Sequence, residues 1–164
     1  AAAADSVTQA YSATEGEKPY TRKHGLDETD DQGRTPMMVA AWRGNVDVLR
    51  WLCEAGANLN FQDKRGRSVL HWACQSPNRL DLLHILCERN IEAKLFDVLG
   101  DTALHKAVAL NDLLSARLLA RAFPLLTNVK DGRGRIPAQL GRSKEMKASV
   151  GPEAAAQAIR AEKA

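Results

Sequence analysis

Aspartate stands three residues before glycine at four regularly placed points: Asp30–Gly33, Asp63–Gly66, Asp97–Gly100 and Asp131–Gly134. The successive glycines are 33, 34 and 34 residues apart. Nothing else in the chain constrains its fold as much, because a supersecondary unit written several times over buries its apolar faces by stacking on copies of itself. Each copy opens with turn chemistry, in which the Asp side chain caps its own backbone and the Gly supplies a positive φ. Thr35, Ser68 and Thr102 follow as helix N-caps, with Pro36 at the first helical position of the first unit.

A short apolar helix is predicted next in each unit: "MMVAAW", "LHWAC" and "LHKAVAL". Ala40, Ala73 and Ala107 recur at one register and allow a neighbouring helix to come close. Gly44 ends the first of these helices and Asn111 takes the corresponding place in the third, both tolerant of the left-handed conformation. A second helix follows in "VDVLRWLCEA", "LDLLHILCER" and "LLSARLLARA", with Leu49, Leu52 and Cys53 on one stripe and Leu83, Leu86 and Cys87 on another. Gly56 and Asn90 are expected to cap their C-terminal ends. Neither helix is long enough to stand alone, and each pair leaves a face that only the next pair can cover, so the expected class is an all-α stacked solenoid.

These residues resemble the ankyrin repeat, whose signature is Asp-x-x-Gly-x-Thr-Pro-Leu-His-x-Ala-Ala, with Gly-Ala-Asp-x-Asn after the second helix. The matching stretches are "DDQGRTPMMVAAWRGN" with "GANLN", "DKRGRSVLHWAC" and "DVLGDTALHKAV". The resemblance implies helix-turn-helix units joined by β-hairpin-like turns. The repeats are expected at about 30–62, 63–96 and 97–130, with a degenerate cap at 131–150. A polar N-terminal tail or arm over 1–29 and an Ala-rich C-terminal helix or tail over 151–164 flank them. Three departures should reshape the stack locally. One residue is added at "QSPNR" (75–79), Phe123 and Pro124 replace the Gly-Ala after the third second helix, and polar residues fill the fourth unit's second helix, as befits an end that meets water.

Composition narrows the function by exclusion. Apolar residues make up 45% and charged residues 26%, and the net charge is only +3, from 23 basic and 20 acidic residues. That balance alone argues for neither nucleic acid nor membrane. No apolar run approaches the roughly 18 residues a membrane span requires. The start of the chain lacks the features of a secretory or mitochondrial leader, so an intracellular, most simply cytoplasmic, protein is expected. Cys53, Cys74 and Cys87 form no CxxC pair and read as reduced core residues. His71 and His105 recur one repeat apart, and the resemblance implies that they tie helix to turn. His24 and His84 have no companion at ligand spacing. "GRGR" at 132–135 lacks the GxxxxGK[ST] spacing of a phosphate loop. No catalytic, cofactor-binding or metal-binding residue is assigned.

The resemblance implies a partner docked on the concave side, formed by the hairpin tips and the end of each first helix. Carried onto this chain, the first repeat offers Asp31, Gln32, Arg34, Trp42 and Arg43, and the second Lys64, Arg65, Arg67, Gln75 and Ser76. The third offers Val98, Leu99, Asp101, Ala109 and Leu110, and the fourth Arg133 and Arg135. Arg34, Lys64, Arg65, Arg67, Arg133 and Arg135 outnumber Asp31 and Asp101 at the tips, which concentrates the small net charge on one edge. Arg65 and Arg67 are expected to act alike, as partner contacts. Val98 and Leu99 put apolar side chains where a polar residue is usual, and an apolar spot flanked by Arg is a frequent hot-spot composition. Trp51 and Trp72 are expected in the core. The function implied is a non-catalytic protein–protein interaction module, an adaptor or scaffold subunit binding an acidic, partly apolar protein surface. Alternatives are a kinase-inhibitor-like regulatory subunit and a nucleic-acid-contacting subunit using the basic tips, the latter disfavoured because the tips lack interleaved aromatics.

Overall fold

A computed structural model describes residues 25–153 together with Ala156 and Arg160. Residues 1–24 of the tail expected over 1–29, and most of the Ala-rich segment expected over 151–164, lie outside the described residues. Among those described, the regular structure is helical, with no strand. The helices are α1 (Pro36–Arg43), α2 (Val46–Glu54), α3 (Val69–Ala73), α4 (Arg79–Cys87), α5 (Ala103–Ala109), α6 (Leu113–Ala122), α7 (Pro137–Leu140) and α8 (Lys144–Val150), with a 3-10 turn at Pro124–Asn128.

They stack in two layers. The odd-numbered helices pack one on the next from α1 to α7, the even-numbered ones from α2 to α8, and each odd helix lies against the even helix that follows it. Ala40, Ala73 and Ala107 are fully buried in the first layer, and Leu49, Leu52, Leu82, Leu83, Leu86 and Leu119 fill the second. The caps follow the residue types. The Thr35 hydroxyl accepts from Met38 N–H, Asn45 from Val48 N–H, and Asp112 from Ser115 N–H. Gly44 (φ 76°) and Asn111 (φ 57°) both take the left-handed conformation expected of them. Asn90 does not: Asn111 is the only described non-glycine residue with positive φ, and α4 ends at Glu88 in a right-handed conformation.

The departures from the repeat are built in rather than tolerated at random. The added residue in 75–79 makes room for Asn78 to donate its amide to Gly44 O at 2.8 Å, and Ser76 is buried beside it. Phe123 and Pro124 turn the chain into the 3-10 segment, where Leu126 is buried and Thr127 donates its hydroxyl to Pro124 O. In the fourth unit α8 buries only Met146 and Val150, leaving Lys144, Glu145 and Lys147 in water as the end of the stack requires.

The four tips form a ladder running across the helices. In each, Asp N–H donates to the carbonyl four residues on (Asp30 to Arg34, Asp63 to Arg67, Asp97 to Asp101, Asp131 to Arg135) at 2.8–3.0 Å. Adjacent tips are joined in one register: Lys64 N–H to Gln32 O at 3.0 Å, Val98 N–H to Arg65 O at 2.9 Å, and Gly132 N–H to Leu99 O at 3.2 Å. The approach is close enough to specify glycine. A Cβ on Gly132 would sit 2.4 Å from Leu99 O, and one on Gly100, already at φ 77°, would sit 2.4 Å from Gly132 N.

His71 and His105 fasten each first helix to the tip of the next unit. Ser68 N–H donates to His71 Nδ1, so the ring proton lies on Nε2, which donates to Asp101 O at 3.0 Å. His105 repeats the arrangement, with Thr102 N–H donating to its Nδ1 and its Nε2 donating to Arg135 O at 3.1 Å. Both rings are buried within hydrogen-bond networks, the structural role that the resemblance implied.

Burial pushes His71 below its ordinary value of 6.5, while the bond to Asp101 and the nearby Asp97 charge oppose the shift only in part. The unfolded chain therefore takes up a proton that the folded chain refuses, and stability should fall as pH drops below about 6.5. Urea unfolding at pH 7.5 and 5.5 should give a lower midpoint at 5.5, and His71→Gln should flatten that difference while lowering both midpoints. Asp30, Asp112 and Asp131, held below 3.8, contribute in a more acidic window and do not account for this change.

Candidate functional site

The Asp of each tip is a hub. One oxygen of Asp30 accepts Gln32 N–H and Arg34 N–H, both at 2.9 Å, and the other oxygen takes the Arg34 guanidinium at 2.7 Å. Asp63 does the same with Arg65 N–H, Arg67 N–H and the Arg67 guanidinium, and Asp131 with Arg133 N–H, Arg135 N–H and the Arg135 guanidinium. Burial alone would raise the Asp30 and Asp131 carboxyls, but the Arg34 and Arg135 hydrogen bonds outweigh it and hold both below the ordinary range. The arginine four residues after each of these aspartates is therefore the second half of an ion pair, not a loose cation.

That divides the six basic tip residues evenly. Arg34, Arg67 and Arg135 are spent on their own aspartates, with side-chain exposures of 23%, 19% and 41%. Lys64, Arg65 and Arg133 are exposed, and among the described residues no ion pair engages them. Arg65 and Arg67, expected to act alike, thus differ. Arg65 faces solvent, whereas Arg67 is tied to the buried Asp63 and lies 3.9 Å over the Trp72 ring. Trp72 also donates its indole N–H to Asp63.

The tip arginines pack against two aromatic residues that lie on the helices behind them, Trp42 near the end of α1 and Trp72 in α3. Trp42, 46% exposed, meets Trp72 edge to face with ring centroids 6.1 Å apart, and the Arg34 guanidinium is 5.8 Å from the Trp42 ring. The tip residues and the ends of α1 and α3 come together here in an Arg34–Trp42–Trp72–Arg67 cluster spanning two repeats. Trp72 belongs to the core and Trp51 packs against it half-buried, as expected. Arg43 is exposed at the end of α1. Ser76, expected at the surface, is buried, because the added residue folds it under the turn.

The third repeat has a different character. Val98 and Leu99 are 69% and 63% exposed, and Leu110 is exposed at the end of α5. Asp101 occupies the position of the paired arginines, so among the described residues Asp97 has no guanidinium partner. Burial and the Asp97 charge together raise the Asp101 carboxyl above its usual range. Phe96, Leu114 and Leu125 are further exposed apolar residues that sequence reasoning passed over. Leu114 could have been found by register, since it stands one residue past the helix start, where the first repeat carries Asp47. Among the described residues, six of the seven exposed large hydrophobic ones thus fall between Phe96 and Leu125, and Trp42 lies in the first repeat. No group of three or more His, Cys, Asp or Glu among the described residues could hold a metal ion, and none of their helices is long and apolar enough to cross a membrane.

A family model of ankyrin repeats in three copies matches residues 9–97 and 58–131. This chain belongs to the ankyrin-repeat family. Rabankyrin-5 of Mus musculus is 29% identical over 118 residues, covering 72% of this chain and 10% of its own length. Ankyrin repeat domain-containing protein 63 of Homo sapiens is 31% identical over 102 residues, covering 60% of this chain and 27% of its own length. Phosphocholine transferase AnkX of Legionella pneumophila is 36% identical over 90 residues, covering 52% and 9%. The chain therefore spans between about a tenth and a quarter of the length of these relatives. Ankyrin repeats are in general protein–protein interaction modules, and their ligands are proteins.

Two substitutions separate structural from exposed charge. Arg67→Glu should cost roughly 2–4 kcal/mol, because it leaves Asp63 buried without its cation and strips the Trp72 face, while Arg65→Glu should change stability by less than about 0.5 kcal/mol. Asp101→Arg should restore at Asp97 the pair present in the other three tips and raise stability by about 1–2 kcal/mol. Urea denaturation midpoints read all three.

Proposed function

We propose that this ankyrin array is a non-catalytic interaction module, an adaptor or scaffold subunit of a larger assembly, which holds an acidic, partly apolar protein surface along its hairpin tips and first-helix ends. The observation that carries this reading is exposed apolar surface on the tip-and-groove side, Trp42 at one end and Val98, Leu99 and Leu110 at the other, with Lys64, Arg65 and Arg133 around it. Apolar anchors rimmed by cations suit a protein partner with apolar and acidic side chains of its own. The internally bonded tips support rigid presentation, in which little conformational entropy is lost on docking.

A second reading, nucleic-acid contact, gains from the exposed Trp42 ring beside Arg34, since aromatic faces and guanidinium groups stack on bases. It loses more from the aspartates, which neutralise three of the six tip cations and halve the charge available to phosphate. The protein reading is therefore preferred.

The test is quantitative affinity capture from the native cells with wild-type bait and with Trp42→Ala, Leu99→Asp and Leu125→Asp. Leu125 is 80% exposed but sits in the 3-10 segment, away from the tips, so it serves as an apolar control. The expected outcome is loss of a common set of protein partners with the first two variants and retention with the third. Equal capture by all four baits would sink the reading, and recovery of nuclease-sensitive partners lost steeply with salt would replace it by the second.

A further inference from the structure

The tips display a charge order along the stack that goes beyond a generally basic edge. The second tip presents Lys64 and Arg65, the third Val98 and Leu99, and the fourth Arg133, all exposed. Their sequence is fixed by the ladder, because the Arg65 carbonyl is bonded to Val98 N–H and the Leu99 carbonyl to Gly132 N–H. Cation, apolar pair and cation therefore follow one another on consecutive rungs, and Asp101 beside the middle rung repels an acidic group from that position alone.

The second, third and fourth tips have no backbone N–H left to give a ligand strand. In the second, third and fourth tips the Asp, the two residues after it, the Gly and the residue that follows each donate their N–H within the tip or to the neighbouring tip. A partner lying across them cannot add a full backbone ladder, so its side chains carry the specificity. Packed helices of adjacent units lie about 8–10 Å apart, and an extended chain advances about 3.3 Å per residue. Three residues of extended chain thus span one rung.

Resting on the interaction reading above, we propose that the second, third and fourth tips bind an extended segment of a partner protein carrying an acidic side chain at i, an apolar one at i+3 and an acidic one at i+6. The first acid meets Lys64 and Arg65, the apolar residue covers Val98 and Leu99, and the second acid meets Arg133. A helical segment would need steps of about seven residues to span the same rungs, so the spacing distinguishes the two conformations.

The test is selection of a phage-displayed random 12-residue peptide library on the whole chain, with counter-selection on the Arg65→Glu/Arg133→Glu double variant. Neither residue has an ion pair among the described residues, so the variant should fold as the wild type does, which its urea midpoint checks. The expected result is enrichment of acid–x–x–apolar–x–x–acid. The synthetic form, labelled with fluorescein and read by anisotropy, should bind at least tenfold more weakly to the double variant and to Leu99→Ser. A peptide with Lys in place of both acids should bind the double variant better than the wild type. Enrichment at seven-residue steps, binders indifferent to the double variant, or no enrichment at all would overturn the proposal. The interaction reading fails separately, when the captured partners ignore Trp42→Ala and Leu99→Asp or prove nuclease-sensitive.

Discussion

Four aspartate carboxylates, each tucked beneath the tip it caps, set the geometry on which the rest of the stack depends. Each accepts two backbone N–H groups of its own turn at 2.8–3.0 Å, and the glycine three residues on takes the left-handed conformation that closes the turn. Once those donors are used, the N–H of the residue after Asp has the carbonyl of the preceding tip as its partner. The tips then join at a fixed register, the first helices are brought close enough to need alanine at their contact, and the second helices close over them. Without the carboxylate, the turn would leave several N–H groups to water and the register between units would be lost.

The same aspartates decide what the surface can offer. A cation four residues after Asp is drawn into the turn, while one or two residues after Asp it stands in solvent. Sequence counting cannot separate these, because Arg34, Arg65, Arg67, Arg133 and Arg135 are the same residue type within a few positions of one another. Charge at the tips has therefore two jobs, of which only the second is open to a partner. The third unit uses neither, having Asp101 in the first role and Val98 and Leu99 in the second, and it carries most of the exposed apolar surface.

Much of the fold was legible in the sequence because it rests on local chemistry written four times. The Asp-x-x-Gly turns, the Thr caps, and the left-handed Gly44 and Asn111 all have one-residue causes. Asn90 was misread because a residue that tolerates positive φ need not adopt it, and here α4 ends on right-handed Glu88. The buried Ser76 and the Trp42–Trp72 contact were hidden for another reason, since each depends on where an added residue or a neighbouring repeat puts the backbone. The residues of the candidate site were legible as positions, but their pairing with Asp30, Asp63 and Asp131 was not.

The ladder of tips has a mechanical consequence. Within a tip, four or five bonds resist deformation, whereas between neighbouring tips a single backbone bond at 2.9–3.2 Å carries the join, backed by the histidine staples at His71 and His105 and by Gln62, whose amide reaches Phe96 O. The array is accordingly stiff across its width and compliant along its length. Small rotations at successive joins add up along the stack, so its curvature is set jointly by every join while each tip keeps its shape.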